Sequence, residues 1–152
     1  MRKVFKISLD VILIAAIVTL CTCIILRLFG VIEIYKVKTG SMEDGIHTGD
    51  YILIYKKGDY EVGNVVTYKK NGYHVTHRII EKNGNKVITK GDANNTPDEE
   101  ITIDDIVGKV IYNGGILNFI IDFKFAIASL FLGLYLLSYY LDTRKKEGEE
   151  EK

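Results

Sequence analysis

Three stretches of the chain carry side chains able to do covalent or acid–base chemistry. The first is Lys38-Thr39-Gly40-Ser41-Met42. A glycine ahead of a serine lets the backbone turn tightly and lets a second chain approach, so Ser41 is a candidate nucleophile; the same triplet is also an ordinary turn. A serine needs a base within hydrogen-bond reach, and the candidates are His47, His74 and His77. The last two lie in Tyr73–Ile80 (YHVTHRII), whose alternation predicts a strand. Val75, His77 and Ile79 then share one face, and His74, Thr76 and Arg78 the other. A histidine between Val and Ile faces a partly buried surface, which limits water and holds one rotamer. His74 is the solvent-facing one, and His47, between Ile46 and Thr48, is a loop residue. A strand histidine bonded to nearby backbone would show the same pattern. The third stretch runs from Thr89 to Asp98 (TKGDANNTPD) and sets Asp92 and Asp98 in a turn-rich loop with the only proline. It reads equally as a surface loop closed by Asx-turns, and it lacks the pattern of a calcium-binding loop.

Cys21 and Cys23 are the only cysteines. They sit inside an uncharged apolar run, at membrane depth, so they read as small apolar helix residues rather than nucleophiles. Two cysteines so placed exclude a disulfide framework and a cysteine-rich zinc site. With 20 Lys+Arg against 20 Asp+Glu there is no basic excess, which argues against a nucleic-acid partner.

The elements that must carry these residues follow from where the apolar residues lie. Val11–Leu26 has no charge; extended by Leu9, Leu28 and Phe29 it is long enough to cross a bilayer. No small-residue cleavage site follows it, so an uncleaved anchor is expected. A second run, 116–141, ends in Tyr135, Tyr139 and Tyr140 and is followed by Arg144, Lys145 and Lys146. Tyrosines and then basic residues are what a membrane interface favours. Arg2, Lys3 and Lys6 flank the first run, so the positive-inside rule places both ends in the cytoplasm. The expected organisation is a cytoplasmic N-terminus (1–8), a first transmembrane helix (9–30), an extracytoplasmic β domain (31–115), a second transmembrane helix (116–141) and a charged cytoplasmic tail (142–152). Within the middle segment, strands are predicted at 51–55, 64–68, 73–80, 86–89 and 106–112, with Asn71-Gly72 as a hairpin turn.

Taken together, these stretches resemble the type I signal peptidases, in their endoplasmic-reticulum-type branch (the SipW-like enzymes of archaea and Gram-positive bacteria included). The matching blocks are Thr39-Gly40-Ser41-Met42 with Gly49-Asp50, then Gly63-Asn64-Val65-Val66-Thr67-Tyr68, then His77-Arg78-Ile79-Ile80, then Thr89 to Asp98. They occur in family order beside the first anchor. Bacterial housekeeping enzymes carry a lysine base where this chain has His77.

The resemblance implies a mostly β fold: a small antiparallel catalytic domain of the signal-peptidase/LexA-like kind between two transmembrane helices. It implies a serine endopeptidase of the cytoplasmic membrane that removes signal peptides from exported pre-proteins, its catalytic domain on the extracytoplasmic side. In that scheme Ser41 is the nucleophile, His77 the base and Asp98 the residue orienting the imidazole. Asp92 is a supporting carboxylate, although spacing alone leaves both aspartates open for the orienting role. The Ser41 N–H and the Thr39 hydroxyl would face the oxyanion. Pre-proteins, the lipid bilayer and the secretion translocase are the implied partners, with no metal, organic cofactor or nucleic acid. Two positions depart from the family: Asp44 stands where a proline is common, and Thr39 where a serine is usual. A non-enzymatic export factor on the same fold is the alternative, and the retained Ser41, His77 and aspartates argue against it. A soluble LexA-like self-cleaving regulator would carry a lysine base and a DNA-binding domain, and two anchors count against that.

Overall fold

A computed structural model describes residues 2–150. They fall into a helical unit, made from the two ends of the chain, and a β unit, Leu26–Phe119.

In the helical unit, α1 spans Arg2–Leu28. Leu9 is buried, but most of the helix's apolar side chains are exposed, Val11, Ile14, Ile17 and Leu20 among them, a surface that suits lipid rather than water. The hydroxyls of Ser8, Thr19 and Thr22 donate to carbonyls four residues back, so they bring no unpaired donor into that surface. Cys21 and Cys23 are free and exposed on the same helix. Two stretches, Lys6–Leu28 and Lys124–Leu141, are long and apolar enough to cross a membrane.

The single helix expected over 116–141 is interrupted. A short α2, Gly115–Asp122, stops before Phe123, and α3 runs Lys124–Glu150. Lys124 Nζ donates to the Ile121 carbonyl at 3.2 Å, satisfying an acceptor that the end of α2 leaves open. The expected tail continues α3 as far as Glu150. The side chains of Arg2, Lys3 and Arg144–Lys146, on which the orientation argument rests, lie outside the described residues. Within the unit, Ser138 Oγ donates to Asp10 Oδ1 at 2.8 Å.

The β unit holds one seven-stranded antiparallel sheet. Its strands are β1 (Ile32–Lys36), β2 (Tyr51–Tyr55), β3 (Val65–Lys70), β4 (Tyr73–Asn83), β5 (Lys86–Lys90), β6 (Ile101–Thr102) and β7 (Ile106–Asn113). Their order across the sheet is β1-β2-β7-β3-β4-β5-β6. The expected fold, a small antiparallel β domain flanked by two membrane-length helices, is borne out. Two strands escaped the sequence reading. Ile32–Lys36 (IEIYK) alternates cleanly, but it follows the first apolar run so closely that Val31 and Ile32 read as its continuation. β6 has only two residues, too few for a period. The β3–β4 hairpin turns at Asn71 (φ 51°) and Gly72 (φ 80°), the left-handed pair such a two-residue turn requires.

Two apolar clusters sit on the sheet. One gathers Tyr60, Val66, Tyr68, Ile79, Val87 and Ile106. The other joins Met42 and Ile46 to Ile52 and Ile54 of β2. This second cluster pins the segment between β1 and β2 to the sheet, and Ser41 is part of that segment.

Candidate active site

Ser41 begins a tight turn, with Glu43 N–H donating to Gly40 O and Ile46 N–H to Met42 O. Met42 and Ile46 are 2% and 4% exposed, so the turn is anchored on both sides and Ser41 is left at its rim. A Cβ on Gly40 would press on the flexible Glu43 carboxylate at 2.8 Å, with Thr48 Oγ1 at 3.6 Å, whereas one on Gly91 would lie 2.5 Å from the Ser41 carbonyl oxygen. Gly91 is where the Asp92 loop packs against the serine turn, and Ala93 N–H donates to that same Ser41 carbonyl at 3.0 Å.

His77 lies in β4 opposite Val66 of β3. Its side chain is buried, and its ring meets the Tyr68 ring edge-on at 6.5 Å. His77 Nε2 is 3.0 Å from Ser41 Oγ, and His77 Nδ1 is 2.6 Å from Asp98 Oδ2. The three residues therefore form one hydrogen-bonded chain across a span of 57 sequence positions, closed by the sheet. Asp98 also receives the Thr89 hydroxyl at 2.7 Å and the Tyr68 hydroxyl at 3.3 Å. Burial pushes the Asp98 carboxyl up; the hydrogen bonds from His77 and Thr89, the His77 charge and the Tyr68 hydroxyl outweigh it and hold the group below its ordinary value. The same burial and the adjacent Asp98 charge push Tyr68 to about 12, so its proton stays available for donation.

Asp92 is placed differently. It takes a forked pair of bonds from Arg78, Nε to Oδ1 at 2.9 Å and the terminal nitrogen to Oδ2 at 2.7 Å. The other terminal nitrogen of Arg78 donates to Gly63 O at 2.8 Å. Asp92 N–H also points at Met42 Sδ, 3.4 Å away. The ion pair thus clamps the Asp92 loop between β4 and the serine turn, a fork geometry specific to arginine. Sequence reasoning named Asp92 but not its partner; Arg78, directly beside His77 in β4, was the available signal.

The other two histidines have partners other than Ser41. His47 is exposed, 3.6 Å from Asp50, and its N–H donates to the same carboxylate. Asp50 takes a further bond from Asn118 Nδ2 at 2.7 Å, while Asn118 Oδ1 receives the Tyr51 N–H. The Gly49-Asp50 block thereby ties the end of the serine segment to the start of β2. His74 stacks against Tyr35 of β1 at 4.7 Å. Tyr35 in turn donates to Glu33, which pairs with Lys56.

A cleft of about 770 Å³ opens on Ser41 and His77. One wall is β1 and the segment after it, Ile34 to Thr39; the other is Gly72 of the hairpin turn and β4 as far as His77. Thr39 is exposed on the first wall, beside the serine. β1 pairs only with β2, and β4 pairs with β5 only from Arg78 onward. The two walls therefore present unpaired strand edges to each other, as an extended polypeptide would need.

An anchored serine hydrogen-bonded through a buried histidine to a carboxylate, at the mouth of a cleft between open strand edges, is the arrangement of a serine hydrolase acting on extended chains. A family model described as Peptidase S24-like matches residues 32–111, and the chain belongs to this family. Among curated proteins it is similar to the signal peptidase complex catalytic subunit SEC11 of Metarhizium robertsii, 34% identical over 95 residues, covering 51% of this chain and 55% of that protein. It is also similar to SEC11 of Plasmodium falciparum, 30% identical over 125 residues, 68% of each chain. The chain spans about half the length of the first of these relatives. The resemblance to endoplasmic-reticulum-type signal peptidases, read from four short blocks, is borne out by these matches.

Proposed function

We propose that this chain is a membrane-anchored serine endopeptidase that removes signal peptides from exported pre-proteins. The observation that carries the reading is the continuous chain Ser41 Oγ–His77 Nε2–His77 Nδ1–Asp98 Oδ2, at 3.0 and 2.6 Å, opening on the cleft. An extended substrate lies between the edges of β1 and β4. His77 Nε2 takes the Ser41 proton as Oγ attacks the scissile carbonyl carbon, and Asp98 holds the resulting imidazolium. The Ser41 N–H and the Thr39 hydroxyl donate to the oxyanion. His77 then gives its proton to the leaving amine as the C–N bond breaks, and a water repeats the sequence to free the acylated Ser41. Asp92, through Arg78, supports the loop rather than the proton transfer.

The two membrane-length helices support a multi-pass anchor in the cytoplasmic membrane with residues 31–115 outside it and both ends inside. The secretion translocase, which delivers signal peptides as they leave the bilayer, is the proposed neighbour. The test is cleavage of a set of pre-proteins by the purified full-length chain in detergent or liposomes, beside Ser41→Ala. Cleavage at the signal-peptide junction by the wild type alone is expected. Equal cleavage by Ser41→Ala would overturn the reading.

A further inference from the structure

Asp98 Oδ2 is a meeting point of three donors: His77 Nδ1 at 2.6 Å, Thr89 Oγ1 at 2.7 Å and the Tyr68 hydroxyl at 3.3 Å. Thr89 and Tyr68 are 0% and 1% exposed. Thr89 also holds Asp98 by its backbone, its carbonyl accepting the Asp98 N–H at 2.8 Å. A hydroxyl sealed away from water must find a partner. This one has found the carboxylate that orients the imidazole, and it touches neither the nucleophile nor the base.

We propose that Thr89 is a positioning residue for the triad, its buried hydroxyl holding Asp98 Oδ2 in line with His77 Nδ1, with the Tyr68 hydroxyl as a second stay. The proposal rests on the Ser41–His77–Asp98 reading above. The torsion that turns an aspartate carboxylate about its own axis is broad and poorly fixed, and Asp98 sits in an irregular loop just after Pro97. His77 alone would leave the carboxylate free to pivot about that single bond. A donor on a rigid strand removes the freedom, because turning Oδ2 away from His77 now breaks three bonds together. Thr89 meets that need: it lies in β5, opposite Ile79 of the histidine-bearing strand β4. The same donor spreads the carboxylate charge. Its loss concentrates charge on the oxygen facing the imidazole and favours the imidazolium.

Three variants of the full-length chain in detergent micelles test this. Thr89→Val keeps the shape and removes the hydroxyl, Thr89→Ser keeps the hydroxyl and removes a methyl, and Tyr68→Phe removes the weaker donor. With a pre-protein substrate, Thr89→Val should lower kcat roughly ten- to hundredfold, the range of one hydrogen bond to a charged group, with KM within about twofold. The acid limb of its pH profile should move to higher pH. Thr89→Ser should recover kcat to within about threefold, although losing the buried methyl makes it less stable, and Tyr68→Phe should fall between. A purely packing role predicts the reverse, with Thr89→Val near wild type and Thr89→Ser the damaged variant. The His77 Hδ1 proton signal, recorded in a Ser41→Ala background, reads the positioning without any turnover. If Thr89→Val shifts that signal while the wild type cuts no pre-protein, the functional reading fails and the positioning stands. Unchanged kcat and an unchanged Hδ1 signal in both Thr89→Val and Tyr68→Phe would overturn the proposal, and the tyrosine variant decides it if Thr89→Val does not fold.

Discussion

Gly91→Ala adds one methyl group and should nearly silence the enzyme. The new Cβ would lie 2.5 Å from the Ser41 carbonyl oxygen and 2.7 Å from Asn94 Nδ2. Asn94 can swing aside, but Ser41 O is backbone. Ordinary contact begins near 3.4 Å, so the two segments must part by about 0.9 Å. Neither yields easily. The serine turn is pinned by Met42 and Ile46 in the core, and the Asp92 loop by the Arg78 fork. Any movement of the turn lengthens the 3.0 Å contact between Ser41 Oγ and His77 Nε2. Misplacement of a reacting group by about 1 Å costs on the order of a hundredfold in rate, and overpacking a tight contact costs roughly 1–3 kcal/mol of stability. Cleavage of a pre-protein by Gly91→Ala should therefore fall about a hundredfold while the protein still inserts and shows a lowered thermal midpoint. Turnover within about threefold of wild type would show that the serine turn does not depend on this contact.

Both His77→Ala and His77→Lys should lose nearly all cleavage without losing membrane insertion: an ordinary lysine stays protonated to about pH 10.4, and the Asp98 carboxylate beside position 77 favours the ammonium further. A fully active lysine variant would remove His77 as the base. Asp98 is held below its ordinary value, so the stability it contributes is present above the unfolded carboxyl value, about 3.9, and disappears as pH falls through its lower folded value. The unfolding free energies of wild type and Asp98→Asn should accordingly converge on acidification below about pH 4, and a constant gap would contradict this linkage. Asp92→Asn should weaken the arginine fork and lower kcat less than Asp98→Asn does, as compared in one cleavage assay; the opposite ranking would exchange the two aspartates. Protease added to intact spheroplasts should cut within 31–115 before either end of the chain, and a tag at the C-terminus clipped first would refute the two-span topology.

Local pattern was enough for what the chain does within a few residues. YILIY and NVVTY announced β2 and β3 as short apolar runs between turn signals, YHVTHRII announced β4 by its alternation, and Asn71-Gly72 announced the turn joining the last two. The site needed distance information. Asp92 and Asp98 share one irregular loop, where no period assigns a direction to a side chain. Only the pairing of β4 with β5, which sets Ile79 opposite Thr89, brings Asp98 to His77 and sends Asp92 to Arg78. Thr89 and Tyr68 were invisible as partners for the same reason: each is an unremarkable strand residue until the sheet aligns their hydroxyls. The break at Phe123 had a signal in its charged neighbours Asp122 and Lys124, but the apolar residues beyond them on both sides read as one continuous span.

The bond between Asp10 and Ser138 links positions 128 residues apart. At about 5–20 residues per second of synthesis, the carboxylate waits on the order of ten seconds for its hydroxyl. Every strand of the sheet, and each of Ser41, His77 and Asp98, is made in that interval. Closure of the helical unit is thus among the last events in the birth of the molecule. A chain halted before Ser138 would carry every strand of the sheet and still lack the hydroxyl that joins its first helix to its last.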